Sequence, residues 1–250
     1  MNRRSGQWRI GQQRPRSLAD RAYEAIEEMI VTRRLEPGAM VSESELGTEL
    51  ELGRTPIREA LARLKAIGFV EVHPRRGVLV STVDVVRHLE LLEVRRPLEE
   101  FIVRCAVERA TKDDLDELQA LSQALSEAAL AGDRAGYFRA KRSIHEAEVR
   151  AAYNAVLTPT MHGLHAQSRR FWYTYEPTDS FVQGAKHHSA VARHVIQRDA
   201  EAAVKAVAAL FTFLERLTRD AVDRRAEVNV HLSRGAAPAL SPRQRRRARS

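Results

Sequence analysis

The sequence predicts a mainly α chain that opens with a winged helix-turn-helix and continues as an all-helical segment. Three observations carry this expectation. Between Ser42 and Lys65 two short helical patterns are separated by a tight break, and the second begins with arginine. Directly after it, two short β-branched runs flank a Pro-Arg-Arg-Gly turn. From Asp84 to about residue 225 the apolar spacing is helical throughout, with no second strand-rich region and no low-complexity insert.

The elements follow in order. Leu18, Ala22, Ala25, Ile26, Met29 and Ile30 share one face of a helix from Leu18 to Arg34, which Pro37-Gly38 ends. Ser42 with Glu45 three residues on is a capping box, opening a helix over about 43–50. Glu51-Leu52-Gly53 breaks it. Thr55 is the expected cap of the next helix, with Pro56 at the first helical position, where a missing N–H costs nothing. Ile57, Leu61, Leu64 and Ile67 then point to a core, which leaves Arg54, Arg58, Arg63 and Lys65 for other faces. Gly68 stops this helix. Residues 69–73 and 78–81 read as a hairpin whose tip, Pro74-Arg75-Arg76-Gly77, is basic. Two helices, a tight turn and arginine at the start of the second are what a DNA-reading helix-turn-helix needs.

Beyond the hairpin, Asp84 to about Ala110 forms one helix, with Pro97 expected to kink or interrupt it. Thr111 and Asp114 cap a helix through Leu130, stopped by Gly132. Asp133 caps a third to about Ala152, with Tyr137, Phe138, Ile144 and His145 inward. A segment from Asn154 to Tyr175 is expected to break near Pro159. Helices over about 180–197 and from Asp199 to about Arg224 complete the series. The expected organisation is a basic tail at 1–16, a winged helix at 17–82, a helical domain at 84–225 and a second basic tail at 226–250.

Charge has to be read by position. The chain carries +8 overall, but residues 1–16 hold five arginines and residues 231–250 hold six, with no acid in either stretch. Setting those eleven aside leaves the body at −3. The winged helix itself has nine Lys and Arg against eleven Asp and Glu, so placement, not bulk charge, argues for DNA: the basic residues follow on the second helix and the hairpin tip. The tails, poor in large apolar residues, read as disordered and either solvated or adding sequence-blind attraction to DNA. No run is apolar enough to span a membrane, and no apolar core follows the basic N-terminus as in a secretory signal. The single cysteine, Cys105, sits among Phe101, Ile102, Val103 and Ala106; it reads as buried and inert and fits a reducing cytoplasm.

The stretch from Leu18 to Val80, and RTPIREAL at 54–61 above all, resembles the DNA-binding domain of the GntR family of bacterial transcription regulators. The helical block resembles the ligand-binding (FCD) domain of that family's FadR-type branch, through LEVRRPLE at 92–99, AVERAT at 106–111, AGD at 131–133 and HSAVARHVIQRDAEAA at 188–203. The resemblance implies a homodimer on an inverted-repeat operator in double-stranded DNA, acting as a repressor more than as an activator. It implies an antiparallel helical bundle with a small effector inside. Arg54 and Arg58 would reach bases or phosphates, and Gly77 would lie near the minor groove. Thr55, Lys65, Arg75 and Arg76 complete the expected DNA-facing set. One departure stands out: where the family has Ser or Thr before the first arginine, this chain has Gly53, which removes a phosphate-binding hydroxyl.

Many members of this branch hold a divalent metal on one Asp and three His. Here His145 and His188 match two ligands, while Lys141 and Leu210 stand at the other two positions. An ammonium repels a dication and offers it no lone pair. The expectation is therefore no metal cofactor, with His162, His165, His187 or His194 as the substitutes that would overturn it. Lys141 could itself supply positive charge, so the expected effector is a small carboxylate met by Arg95, Lys141, His145, His165 and His188. No nucleophile–base pair or phosphate-binding loop supports an enzyme. The competing reading is an architectural, largely sequence-indifferent DNA binder that works through its Arg-rich tails.

Overall fold

The computed structural model describes residues 17–235. Two compact units divide between Val83 and Asp84.

The first unit packs three helices and a small sheet. Helix α1 (Leu18–Val31) is capped by Ser17, whose side chain takes the Asp20 N–H while Asp20 reaches back. Its inward face is Ala22, Tyr23, Ile26, Met29 and Ile30; Leu18 is 54% exposed and does not share it. Helix α2 (Glu43–Glu49) carries the Ser42–Glu45 capping box, and Leu46 is buried beneath it. Helix α3 (Arg54–Ala66) buries Ile57, Ala60, Leu61 and Leu64 and packs against α1 and α2. Its cap is Gly53, with no side-chain bond, and not Thr55, which is the second helical residue. Extended backbone at Gly53 (φ −69°, ψ 169°) starts the helix one residue before the expected cap.

The wing has three strands where the sequence suggested two. β2 (Val70–His73) and β3 (Gly77–Val80) form the hairpin, and β1 (Met40–Val41) adds to the other side of β3, in the order β1-β3-β2, all antiparallel. A two-residue strand has no periodicity to read. Gly77 is fixed by this third strand: its φ is +110°, and a Cβ there would come 2.8 Å from the Val41 carbonyl oxygen.

The second unit is a helical bundle of α4 (Val85–Arg109), α5 (Lys112–Leu130), α6 (Arg134–Ala151), α7 (Leu157–Tyr175), α8 (Phe181–Ile196) and α9 (Ala200–Gly235). α4 lies along α9, α5 along α6 and α8, α8 along α9, and α7 against α6 and α4. Asp84, Thr111, Asp133 and Asp199 each accept first-turn N–H bonds, Thr111 and Asp133 as the sequence foretold.

Three sequence expectations fail here. α4 is not interrupted at Pro97, which removes one of the two outcomes expected there, a kink or a break. The carbonyl robbed of its partner belongs to Glu93 on the exposed face, where water can replace the lost bond. α7 is not broken at Pro159, which is its third residue, where no N–H is needed. α9 does not stop at Arg224 but continues to Gly235, so 226–235 are helical where a disordered tail was expected. No Pro or Gly intervenes before Gly235 to end it. The tail at 1–16 and the remainder, 236–250, lie outside the described residues.

Candidate DNA interface and buried polar site

In the first unit, α3 turns Arg54, Thr55, Arg58 and Lys65 to solvent, and the hairpin turn exposes Arg75 and Arg76. Arg75 adopts φ +65° to make that turn. Gly53 brings no side-chain cap, so the N–H groups of the first turn of α3 stay open to an outside acceptor such as a phosphate. Arg58 holds Glu43 of α2 at 2.7 Å, with the guanidinium side chain 66% exposed. Arg63 instead pairs with Asp20 at 2.8 Å and covers the Tyr23 ring at 4.3 Å, tying α3 to α1. The Arg63 guanidinium, with Ser17, holds the Asp20 carboxyl down at about 2.

In the second unit, an unusual density of polar side chains is buried in the bundle. Arg95 of α4 is 2% exposed. It donates to Glu99 Oε1 at 2.6 Å and across to Ser168 Oγ on α7 at 2.7 Å, and its guanidinium lies 5.5 Å from the Phe211 ring of α9. Glu99 also accepts from His165 Nε2 at 2.8 Å. Burial alone would raise the Glu99 carboxyl, but His165 and Arg95 outweigh it and hold it at about 2. His165 stacks on His145 at 4.6 Å, and His145 meets His188 of α8 edge to face at 5.1 Å. Burial, then the neighbouring imidazoles and cations, pushes His145 and His188 well below the ordinary histidine value. Burial also lowers His165, against the pull of Glu99. The fold thus brings Arg95, His145, His165 and His188 into one cluster.

Lys141 is inside as well, on the face of α6 that carries His145, but it has a partner the sequence did not reveal. Its Nζ lies 3.0 Å from Glu176 Oε2, and Tyr137 Oη donates to Glu176 Oε1 at 2.9 Å. Burial lowers Lys141, and Glu176 opposes that shift. Four more members were missed. Glu99 and Ser168 bind Arg95. His88 stacks on Phe171 at 3.7 Å and meets Trp172 edge to face, and burial, Arg95 and Lys141 depress it to about 2. Glu148 is buried near Glu99, and burial raises its carboxyl well above the usual range. A polar residue on an apolar helical face was the available signal for His88 and Glu99. Glu176, in the turn after α7, had none.

Half-buried His187 lies outside the cluster. His187 stacks on Phe213 at 4.8 Å. Phe171 and Trp172 pack in the core against His88, and Tyr173 faces Phe138. Among the described residues no set of three or more His, Cys, Asp or Glu is placed to hold a metal ion. The chemistry of the residues agrees: at the position of the family's metal-binding carboxylate stands Lys141, engaged with Glu176, and Leu210 is a buried hydrocarbon. The residues do not fit the group. No described helix is long and apolar enough to cross a membrane.

A winged helix joined to an all-helical bundle with a polar interior is the build of a DNA-binding protein with a sensing domain. Comparison bears this out. Residues 18–80 match the family described as bacterial regulatory proteins, gntR family, and residues 90–213 match the FCD domain. The Nta operon transcriptional regulator of Aminobacter aminovorans is 35% identical over 91 residues, which is 36% of this chain and 43% of that one. The HTH-type transcriptional regulator McbR of Escherichia coli (strain K12) is 37% identical over 99 residues, 40% of this chain and 45% of that one. The match spans under half the length of both relatives. The solved E. coli McbR/YncC structure superposes with a TM-score of 0.71 at 22% identity, covering 82% of this chain and 98% of that one, which is a likeness of fold. This chain belongs to the GntR family of transcription regulators and carries an FCD domain.

Proposed function

We propose that the protein is a dimeric, cytoplasmic repressor that binds an inverted-repeat operator and releases it when a small carboxylate occupies the bundle. The observation that carries the DNA half is the exposed edge of α3, where Arg54 and Arg58 stand beside an uncapped helix start with a basic hairpin tip in the same unit. Arg54, Arg58 and Lys65 read or clamp the major groove, Thr55 and the first-turn N–H groups take a phosphate, and Arg75 and Arg76 reach the adjoining groove.

The effector half rests on the bundle's unsatisfied nitrogens. Arg95 Nε, Trp172 Nε1, His88 Nε2 and His188 Nε2 are buried with no hydrogen-bond partner among the described residues. Unpaired buried polar atoms cost free energy, and the N–H groups of Arg95 Nε and Trp172 Nε1 are donors that an oxygen-rich ligand would satisfy. Arg95, with His145, His165 and His188, forms the binding side. Lys141 gives one N–H to Glu176 and keeps two for a ligand.

The dimer is supported by the outer face of α4. Val94 and Phe101 are 55% and 45% exposed, with Pro97 exposed between them. Arg87 and Glu90 lie toward one end of this stripe, Arg104 and Glu108 toward the other, all exposed. Two copies crossing antiparallel about Pro97 would set Val94 on Phe101, Arg87 against Glu108 and Glu90 against Arg104, a self-complementary patch.

A promoter-binding titration with added organic acids tests the whole reading. Binding of the DNA upstream of its own gene, weakened by one acid that also raises the melting temperature, is the expected result. Binding that no acid alters, or that ignores sequence, refutes it. The second of these outcomes favours the architectural reading.

A further inference from the structure

We propose that the Lys141–Glu176 ion pair, held by Tyr137, takes over the structural work of a bound metal in this bundle, so that the site is built to function without one. The proposal deepens the reading of the bundle interior but does not depend on the identity of any effector.

The pair is deeply set. The side chains of Lys141 and Glu176 are 7% and 0% exposed. Both Glu176 oxygens are engaged: Oε2 faces the ammonium at 3.0 Å and Oε1 accepts from Tyr137 at 2.9 Å. Its backbone is fixed too, with the N–H donating to the Trp172 carbonyl at 2.9 Å and the carbonyl accepting from Arg134 at 3.0 Å. Around the ammonium stand the rings of Tyr137, Phe138 and Trp172 at 5.3–5.6 Å, which keep water away from it.

Three helices meet at this carboxylate. Lys141 and Tyr137 come from α6, Glu176 closes α7, and α8 contributes Gly184. A Cβ at Gly184 would overlap Tyr137 Oη and sit 3.2 Å from Glu176 Oε1, so α8 can lie against the pair only through a glycine. A metal ion ties helices together by drawing ligands from several of them at once, and here an internal cation and an internal anion do so. The remnants of a metal site persist beside the pair: His145 is one turn along α6 from Lys141, and His188 faces it at 5.1 Å. The fourth position is Leu210, 6% exposed on α9. Lys141 and Leu210 at two of the four ligand positions, with Glu176 against Lys141, leave only the two histidines to face a metal.

The test is metal content. Full-length protein, purified without chelator and dialysed separately against excess Zn, Ni and Mn, should retain well under about 0.2 ion per chain by elemental analysis, and chelator should not shift its melting temperature. The triple variant K141D/E176Q/L210H restores a carboxylate and a third imidazole and removes the competing anion. It should retain about one Zn or Ni per chain and melt higher with metal than without. Near-stoichiometric metal in the unmodified protein overturns the proposal, as does a folded triple variant that takes none. If the triple variant does not fold, K141M, E176Q and K141M/E176Q decide. Each single change should lower the melting temperature and the double change should cost clearly less than their sum. Strictly additive losses overturn the proposal.

Discussion

The two charged residues Arg58 and Glu43 give the DNA reading a prediction of opposite signs. In the free protein the Arg58 guanidinium is held by Glu43 at 2.7 Å, yet it is 66% exposed. An exposed bridge of this kind is worth about 0–1 kcal/mol, so Arg58→Ala should shift the melting temperature little. On the proposed reading the same guanidinium would make a base or phosphate contact on DNA worth about 1–3 kcal/mol, or about 5- to 150-fold in affinity per half-site. Glu43→Gln does the reverse. It frees Arg58 from its bridge and takes a negative charge away from the DNA-facing side, so it should tighten binding by up to about 1 kcal/mol, roughly fivefold. Fluorescence anisotropy with the promoter fragment, at one fixed salt concentration, reads both. Full affinity in Arg58→Ala, or weaker binding in Glu43→Gln with the fold intact, would show that α3 does not present this face to DNA.

Other consequences follow from the same geometry. Gly77→Ala meets both the φ of +110° and the Val41 carbonyl at 2.8 Å, and should cost the winged unit about 1–3 kcal/mol in thermal melting; an unchanged melting curve would mean that β1 gives way. Glu99→Gln strips the charge partner from buried Arg95 and should destabilise the bundle by about 3–5 kcal/mol, whereas Glu100→Gln, whose partner Arg96 is 42% exposed, should cost under about 1 kcal/mol. Acid should weaken the bundle in two stages. His88 stays neutral in the fold down to about 2, while the unfolded chain takes its proton near 6.5, so stability falls as pH drops below 6.5. Glu99, ionised in the fold down to about 2 and ordinarily titrating at 4.5, adds a second loss between 4.5 and 2. His88→Phe should make the fall of melting temperature between pH 6.5 and 4.5 shallower without abolishing it, since His145, His165 and His188 are depressed as well, and an unaltered slope there would contradict the buried, neutral placement of this ring.

Much of the fold was legible because its signals are local. Capping residues at Ser42, Thr111 and Asp133 lie next to the N–H groups they satisfy, and α3 announces its buried face through Ile57, Leu61 and Leu64. The failures have physical causes of their own. Pro97 and Pro159 looked like breaks, yet one costs a bond on an exposed face and the other costs none in a first turn. β1 exists only because β3 offers it a partner from far along the chain. The buried site was half legible. Arg95, His145, His165 and His188 could be picked out by residue type, but the partner of Lys141 is 35 residues away in a turn, and no spacing rule joins them. Long-range pairing of this kind is decided by how α6, α7 and α8 pack.

The central claim, that this chain reads a DNA sequence and lets a bound acid change the reading, is met most directly by a competition titration. Labelled promoter DNA is displaced by unlabelled promoter or by shuffled DNA of the same composition, with and without the stabilising carboxylate, at physiological salt. The account predicts that the promoter competes at least about a thousandfold better than the shuffled DNA and that the acid erodes this ratio. A ratio near one, unmoved by any acid, would contradict it.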